Sequence, residues 1–265
     1  MKQVLSIQDL SCLGKCSLTV ALPVLSAMSC ACTPLPTAVL STHTAFPGPH
    51  IRSLTEDVSK IRDHWRSIGA QFDGISVGYL SNPEQAATIA QVLDAFPATV
   101  VLDPVMGDHG KRYCGITQAH VAAMKQLCAK AAVLLPNVTE SCLLTGIPYR
   151  QTTEKSWYQD LLAATADLGA ANVIITGVSL SAGETGFMGT GEICYQTQAL
   201  PGFFHGTGDL FTAVFTGAFT RGKDLYASAA MAAGFVERVI AATGKPTPFG
   251  VDFESQLPWL WQQLS

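Results

Sequence analysis

The chain has 265 residues, 48% of them hydrophobic and 14% charged, with a net charge of −4. That is enough apolar side chain for a substantial core in one large domain. The weakly acidic balance, without a clustered Lys/Arg face, argues against nucleic acid as partner, and no apolar run approaches the roughly 20 residues of a membrane-spanning helix.

The first residues, Met1 to Gln8, run straight into a strand-like stretch and lack the basic, apolar, small-residue order of a signal peptide. Short runs rich in Val, Ile and Leu predict strands over 4–8, 35–40, 74–79, 99–105, 133–137 and 173–178. Between them, helical spacing predicts helices over 18–28, 54–68, 83–95, 117–129 and 157–168; Asn82 reads as a cap and Pro83 as the first helical residue of the third. After Gly177 the pattern changes to a hairpin, 183–190 and 192–198, followed by helices over 209–220 and 225–242. Strand–helix alternation of this kind implies an α/β fold with a mainly parallel sheet covered on both faces. With no repeat, low-complexity tract or linker, one domain spanning 1–265 is the economical reading.

Eight cysteines include two close pairs, Cys12 with Cys16 and Cys30 with Cys32. Their intervals do not match the two-residue spacing common in zinc sites. They read as free thiols in a reducing cytoplasm, ahead of metal or disulfide alternatives.

Open α/β sheets bind ligands beyond the carboxyl ends of their strands. The polar residues there include Asp9, Thr44, Tyr79, Asp103, Asn137, Glu140, Thr176 and the run His205-Gly206-Thr207-Gly208-Asp209. The last carries the most chemistry. Gly206 and Gly208 let the backbone turn and present bare N–H groups at a helix N-terminus, where anions are favoured. A transferring phosphoryl group needs such stabilisation, and Asp209 in the first turn can accept a proton from an attacking hydroxyl. A simple turn followed by a cap remains the alternative. Asp103 at a strand tip can orient a metal–phosphate cluster, or end an Asp-Pro turn. Asn137 and Glu140 share a helix face, and also fit a capping box.

In combination, Asp103-Pro104-Val105-Met106-Gly107, Pro136-Asn137-x-x-Glu140 and Gly206-Thr207-Gly208-Asp209 resemble the ribokinase-like superfamily. Adding Leu5-Ser6-Ile7-Gln8-Asp9, Leu40-Ser41-Thr42-His43-Thr44 and Gly78-Tyr79-Leu80, the chain looks like the pyridoxal/pyridoxamine kinases within it. The resemblance runs from Val4 to the C-terminal helices. It implies a three-layer α/β/α fold, a cytoplasmic homodimer, and phosphorylation of the 5′-hydroxymethyl group of a B6 vitamer by ATP with Mg²⁺. It assigns Asp209 as catalytic base, Gly206, Thr207 and Gly208 as anion hole, and Asp9, Thr44 and Tyr79 to the pyridine pocket. It places Asp103, Asn137, Glu140, Thr176 and Thr207 around ATP, with Asp103 and Glu140 near the metal, and makes 108–114 a flap over ATP.

Three departures stand out. Asp9 occupies a position where the family usually has Ser, which favours pyridoxamine or pyridoxine over pyridoxal. Lys15-Cys16-Ser17 replaces a Gly-Asn pair, and 205–209 lacks the cysteine that some relatives carry. Cys16 or Cys114 can approach the pocket instead, with a plain core or surface thiol as the favoured alternative. A hydroxymethylpyrimidine kinase is the nearest alternative, although Gln8-Asp9-Leu10-Ser11 departs from its Gly-rich loop. A non-catalytic vitamer-binding protein is another, disfavoured by the intact Asp209 and its glycines.

Overall fold

The structure is a computed structural model that describes residues 1–264. In chain order it contains β1 (Lys2–Leu13), α1 (Leu18–Ala27), β2 (Cys30–Thr42), β3 (Ile51–Ser53), α2 (Thr55–Ser67), β4 (Gly74–Val77), α3 (Gln85–Ala95) and β5 (Thr99–Leu102). A two-stranded hairpin, β6 (Gly107–Asp108) and β7 (Lys111–Arg112), precedes α4 (Gln118–Cys128), β8 (Val133–Leu134), α5 (Val138–Thr145) and α6 (Lys155–Ala166). Then come β9 (Asn172–Val178), β10 (Glu184–Gly189), β11 (Ile193–Gln198), α7 (Thr207–Thr220), α8 (Leu225–Thr243) and α9 (Leu257–Gln262).

Nine strands form one sheet in the order β11-β10-β9-β8-β5-β4-β1-β2-β3. The six from β9 to β2 run parallel, and antiparallel partners close both edges. Side chains of the inner strands alternate between two cores, as strands buried on both faces require. Leu5 and Ile7 of β1, Leu102 of β5 and Ile175 of β9 face the layer of α2 to α6. Val4, Val101 and Ile174 face α1, α7, α8 and α9. This is the three-layer α/β/α arrangement that the resemblance implies.

α7 is buried almost all round, with every residue from Leu210 to Ala218 inside. Gly74 leaves room on β4 for the Thr220 side chain, and Gly217 leaves room for Met28 and Leu25. α8 is 19 residues long and, by length and composition alone, apolar enough to cross a membrane. Ser228, Ala229, Ala232, Phe235 and Val239 are nevertheless buried, and it carries Glu237 and Arg238.

The sequence underestimates β1 and β2. Ser6, Gln8, Asp9 and Ser11 are buried in β1 although polar. β2 contains Pro34 and Pro36, which ordinarily break a strand. β3 covers β2 at Ala38, Val39 and Leu40, so both prolines fall on an uncovered edge. Asn82 caps as expected, accepting from the Gln85 N–H at 3.0 Å, but regular helix starts at Gln85 and not at Pro83. The strands expected to reach 105 and 137 stop at Leu102 and Leu134. β3, the β6–β7 hairpin and α9 were not legible.

From β1 the chain moves to β2 on one side, then to β4 on the other. The crevice outside the carboxyl ends of β1 and β4 is therefore the topological switch point, where such sheets bind ligands.

Candidate active site

A cavity of about 600 Å³ opens at this edge. Every residue singled out from the sequence as a site residue lines it: Asp9, Thr44, Tyr79, Asp103, Asn137, Glu140, Thr176 and the run from Gly206 to Asp209.

The middle of the cavity is the start of α7. Gly206 is its N-cap at φ 84°, a left-handed conformation open to glycine. The Lys15 carbonyl oxygen occupies the space that a Cβ on Gly206 would need. Gly206 brings no capping side chain, and the Thr207 hydroxyl turns back to donate to the Phe204 carbonyl at 3.1 Å. The first-turn N–H groups thus face the cavity, backed by the dipole of a 14-residue helix. Gly208 has open space around it.

Asp209 keeps a face on the cavity but is otherwise enclosed by protein. Burial is the main force that pushes its carboxyl up to about 8, helped by the charges of Asp103 and Asp9 and opposed by the Ser17 backbone N–H. Asp103, on the turn after β5, is pushed up to about 7 by burial, while a hydroxyl bond from Thr212 at 2.7 Å pulls the other way.

Glu140 shows that two readings of one motif coexist. Asn137 and Glu140 form the capping box of α5: the Asn137 side chain accepts from the Glu140 N–H, and Glu140 Oε2 accepts from the Asn137 N–H, each at 2.9 Å. Glu140 Oε1 also accepts from the Met106 N–H at 3.0 Å, which ties α5 to the turn that carries Asp103. Burial, then repulsion from Asp103, raise Glu140 well above the usual carboxylate range. The hairpin β6–β7 is anchored to the same helix end. Asn137 Nδ2 donates to the Gly107 carbonyl and the Gly110 N–H donates to the Thr139 hydroxyl, both at 2.8 Å.

At one end lie Asp9, Thr44, Tyr79, Leu40 and His43. Asp9 is buried, and its oxygens accept from the Ser17 hydroxyl at 2.6 Å and the Ser11 hydroxyl at 2.8 Å. Burial raises its carboxyl and the two hydroxyls resist. Burial, then the Asp9 charge, push the Tyr79 phenol up to about 12. The His43 and His205 rings lie tilted against each other with centroids 4.9 Å apart, and burial lowers His205, which favours its neutral ring. Cys16 lines this end, whereas Cys114 is exposed and outside the lining. Burial and the Asp209 and Asp9 charges raise the Cys16 thiol, keeping it protonated.

At the other end, Thr176 and Gly177 lead to a wall of Phe187, Tyr195, Phe211, Val236, Glu237 and Ile240. The Tyr195 hydroxyl donates to Glu237 Oε1 at 2.7 Å. Sequence reasoning missed this wall, together with Ser17 and Thr212, and named Tyr113 only as part of the flap segment 108–114. The spacing of Val236, Glu237 and Ile240 on one face of α8, and of Thr212 one turn from Asp209, was the available signal.

Six carboxylates line the cavity (Asp9, Asp103, Asp108, Glu140, Asp209 and Glu237), and among the described residues no Lys or Arg does. No cluster of three or more His, Cys, Asp or Glu able to hold a metal by itself occurs among the described residues. The carboxylates of this wall repel a bare polyanion, so one that arrives with its own cations fits better. Two buried carboxylates close enough for the charge of Asp103 to raise the proton affinity of Glu140 fit a divalent ion shared with phosphate oxygens.

Residues 22–251 match the family described as phosphomethylpyrimidine kinase. The chain is 29% identical over 249 residues to the pyridoxine/pyridoxal/pyridoxamine kinase of Bordetella bronchiseptica, covering 87% of this chain and 85% of the relative. It is similar to the crystal structure of pyridoxal kinase from Lactobacillus plantarum, with a TM-score of 0.91 and 34% identity over 99% of this chain and 98% of the other. A Bacteroides thetaiotaomicron protein whose crystal form contains pyridoxal gives a TM-score of 0.92 and 34% identity over 98% and 95% of the two chains. A family match over most of the chain, on the fold and site just described, is decisive: the chain belongs to the phosphomethylpyrimidine kinase family of the ribokinase-like superfamily, together with kinases of B6 vitamers.

Proposed function

We propose that the chain phosphorylates the 5′-hydroxymethyl group of a B6 vitamer with ATP. The observation that carries this reading is the placement of Asp209 in the first turn of α7, beside the bare N–H groups of Thr207 and Gly208 and between the two ends of one cavity.

The vitamer lies against Asp9, Thr44 and Tyr79, with its hydroxymethyl group toward Asp209. The flat nucleotide base lies on the wall of Phe187, Phe211 and Val236, and the phosphates reach inward past Thr176 and Asn137 to Thr207. Asp209 takes the hydroxyl proton as the oxygen attacks the γ-phosphorus and the bond to the β–γ bridging oxygen breaks. The N–H groups of the α7 first turn hold the equatorial oxygens as charge spreads over them. Asp103 and Glu140 would hold Mg²⁺, which supplies the positive charge that the cavity wall lacks. Asn137 fixes Glu140 through the capping box, and Thr212 fixes Asp103. The hairpin β6–β7, tied to Thr139 and Asn137, is placed to cover the phosphates.

The family description, phosphomethylpyrimidine kinase, and a Haemophilus influenzae relative named hydroxymethylpyrimidine/phosphomethylpyrimidine kinase favour pyrimidine phosphorylation as a second reading. Both use the same phosphate end and differ in what fills the end lined by Asp9. A steady-state panel of pyridoxal, pyridoxine, pyridoxamine and hydroxymethylpyrimidine with ATP separates them. We expect vitamer-dependent ADP release that disappears in Asp209→Asn. Turnover confined to hydroxymethylpyrimidine supports the second reading, and tight vitamer binding without turnover would reduce the protein to a vitamer carrier. The single domain, homodimeric state and cytoplasmic setting that the resemblance implies belong to the same proposal; sedimentation analysis tests the dimer.

A further inference from the structure

The far end of the cavity carries a carboxylate that the phosphoryl chemistry does not use. Val236, Glu237 and Ile240 line it from one face of α8, as residues three and four apart do. β10 and β11 supply Phe187 and Tyr195, which sit directly opposite each other in the hairpin with their rings stacked 5.4 Å apart at 11°. Phe211 of α7 meets Phe187 edge-on at 6.2 Å. Aromatic and aliphatic faces of this kind suit a flat heterocycle.

Glu237 is the one acid in this largely apolar wall. The Tyr195 hydroxyl donates to its Oε1 at 2.7 Å. Burial first, then the bond to Glu237, push the Tyr195 phenol up to about 12, so it stays a donor. Among the described residues, no hydrogen bond reaches Glu237 Oε2 and no Lys or Arg lines the cavity. Arg238, the next residue, lies instead over the Trp259 ring, 5.5 Å from its centroid. One carboxylate oxygen is thus clamped and the other is open. A carboxylate accepts hydrogen bonds and donates none, so the open oxygen takes an amino group and rejects a carbonyl.

We infer that Glu237, held by Tyr195, selects the nucleobase: its open Oε2 accepts from the exocyclic amino group of adenine and repels the oxo group that hypoxanthine and guanine carry at the same ring position. This rests on the kinase reading of the site and deepens it by assigning the specificity for the phosphoryl donor. Guanine pairs with a carboxylate through its N1–H and 2-amino groups, but that pairing needs both oxygens, and Tyr195 already holds one. A single amino group matches a single open oxygen. The apolar part of the wall grips any purine alike, so it contributes affinity without choice.

The test measures calorimetric affinities of wild type, Glu237→Gln and Tyr195→Phe for ADP, IDP, GDP and purine riboside 5′-diphosphate, which lacks any group at that ring position. Wild type is expected to bind ADP roughly 10- to 100-fold tighter than IDP, the scale of one hydrogen bond to a charged group, with the purine riboside nucleotide between them. Glu237→Gln, whose amide turns to accept or to donate, should bring ADP and IDP to within about threefold of each other. Tyr195→Phe keeps the stacked ring, releases the carboxylate and should shrink the preference in part. Equal affinities for ADP and IDP in wild type, GDP bound more tightly than ADP, or a preference unchanged in either variant would overturn the inference and leave the pair as a tie between β11 and α8. The wild-type series needs no substitution, so a variant that fails to fold does not protect the idea. If wild type binds ADP but phosphorylates no vitamer, the kinase reading fails and the nucleotide series still decides the role of Glu237. If it binds no purine nucleotide, both fail.

Discussion

The hydroxyl of Thr212 donates to Asp103 Oδ2 at 2.7 Å across 109 residues of chain, one helical turn beyond Asp209. One buried helix therefore carries the proposed base and also steadies the carboxylate proposed for the metal. Movement of α7 would disturb proton transfer and cation binding together.

Thr212→Val keeps the shape of the side chain and removes that donor. Asp103 then faces burial without its hydroxyl partner and holds its proton to higher pH. A hydrogen bond to a charged group contributes about 1.5–3 kcal/mol, so kcat at limiting Mg²⁺ should fall by roughly tenfold or more, with partial recovery at high Mg²⁺. An activity curve against Mg²⁺ that matches wild type would count against the role given to Asp103.

Asp209, pushed up to about 8 by burial first and Asp103 second, has consequences of opposite sign for rate and stability. As a base it works only when ionised, so kcat/KM should climb with pH through about 8. For stability, the folded state holds a proton that the unfolded chain releases near its ordinary value of 3.8. This group's contribution is complete below that value and is lost as pH rises toward about 8. The slope reaches at most about 1.4 kcal/mol per pH unit, and less because one face of the carboxyl meets the cavity. Asp209→Asn should cut kcat by about 10²–10⁴ and flatten this part of the stability curve. Urea denaturation of both proteins from pH 4 to 9 gives the comparison.

The two glycines of the anion hole should fail in different ways. Gly206→Ala combines a left-handed φ with overlap on the Lys15 carbonyl, and should cost about 1–3 kcal/mol of stability as well as activity. Gly208→Ala has nothing within 4 Å to strike and should melt near wild type. Its methyl group enters the space meant for the phosphoryl group, so kcat should drop by roughly 10- to 1000-fold. Melting curves run beside kinetics distinguish the two; a destabilised Gly208→Ala would contradict the open space seen there.

Asp9 puts a carboxylate where the pyridoxal kinases usually place a serine. Wild type is expected to rank pyridoxamine or pyridoxine above pyridoxal in kcat/KM, and Asp9→Ser to narrow or reverse that order several-fold, the scale of one polar contact. A uniform loss for all three vitamers would instead point to the bond that Asp9 makes to Ser17.

The layers of the fold were legible because the inner strands are short runs rich in Val, Ile and Leu and the helices carry periodic apolar faces. The ends of elements were less so. β1 continues past Gln8 because Ser6, Gln8, Asp9 and Ser11 find buried partners, which a polar letter in a sequence does not reveal. The candidate site was legible where backbone geometry demands a special residue, as at Gly206, or where spacing repeats a known motif, as at Asn137 and Glu140. Ser17 and Thr212 were not, since their roles depend on partners 8 and 109 residues away. Glu237 stayed hidden for a similar reason: it reads as the solvated face of an apolar helix until Tyr195 arrives from 42 residues upstream.

The clamp on Lys15 bears on how the protein matures. Its ammonium meets Asp252 and Glu254 across 237 and 239 residues, and its carbonyl closes on Gly206. The anion hole therefore has one wall from residues 14–17, and that wall is braced by residues 249–254. A nascent chain can build the central sheet while still on the ribosome, but it cannot complete the phosphate end until residues 249–254 have emerged. Clipping the C-terminal segment would leave Asp209 and its glycines in the chain while releasing the loop that supports them.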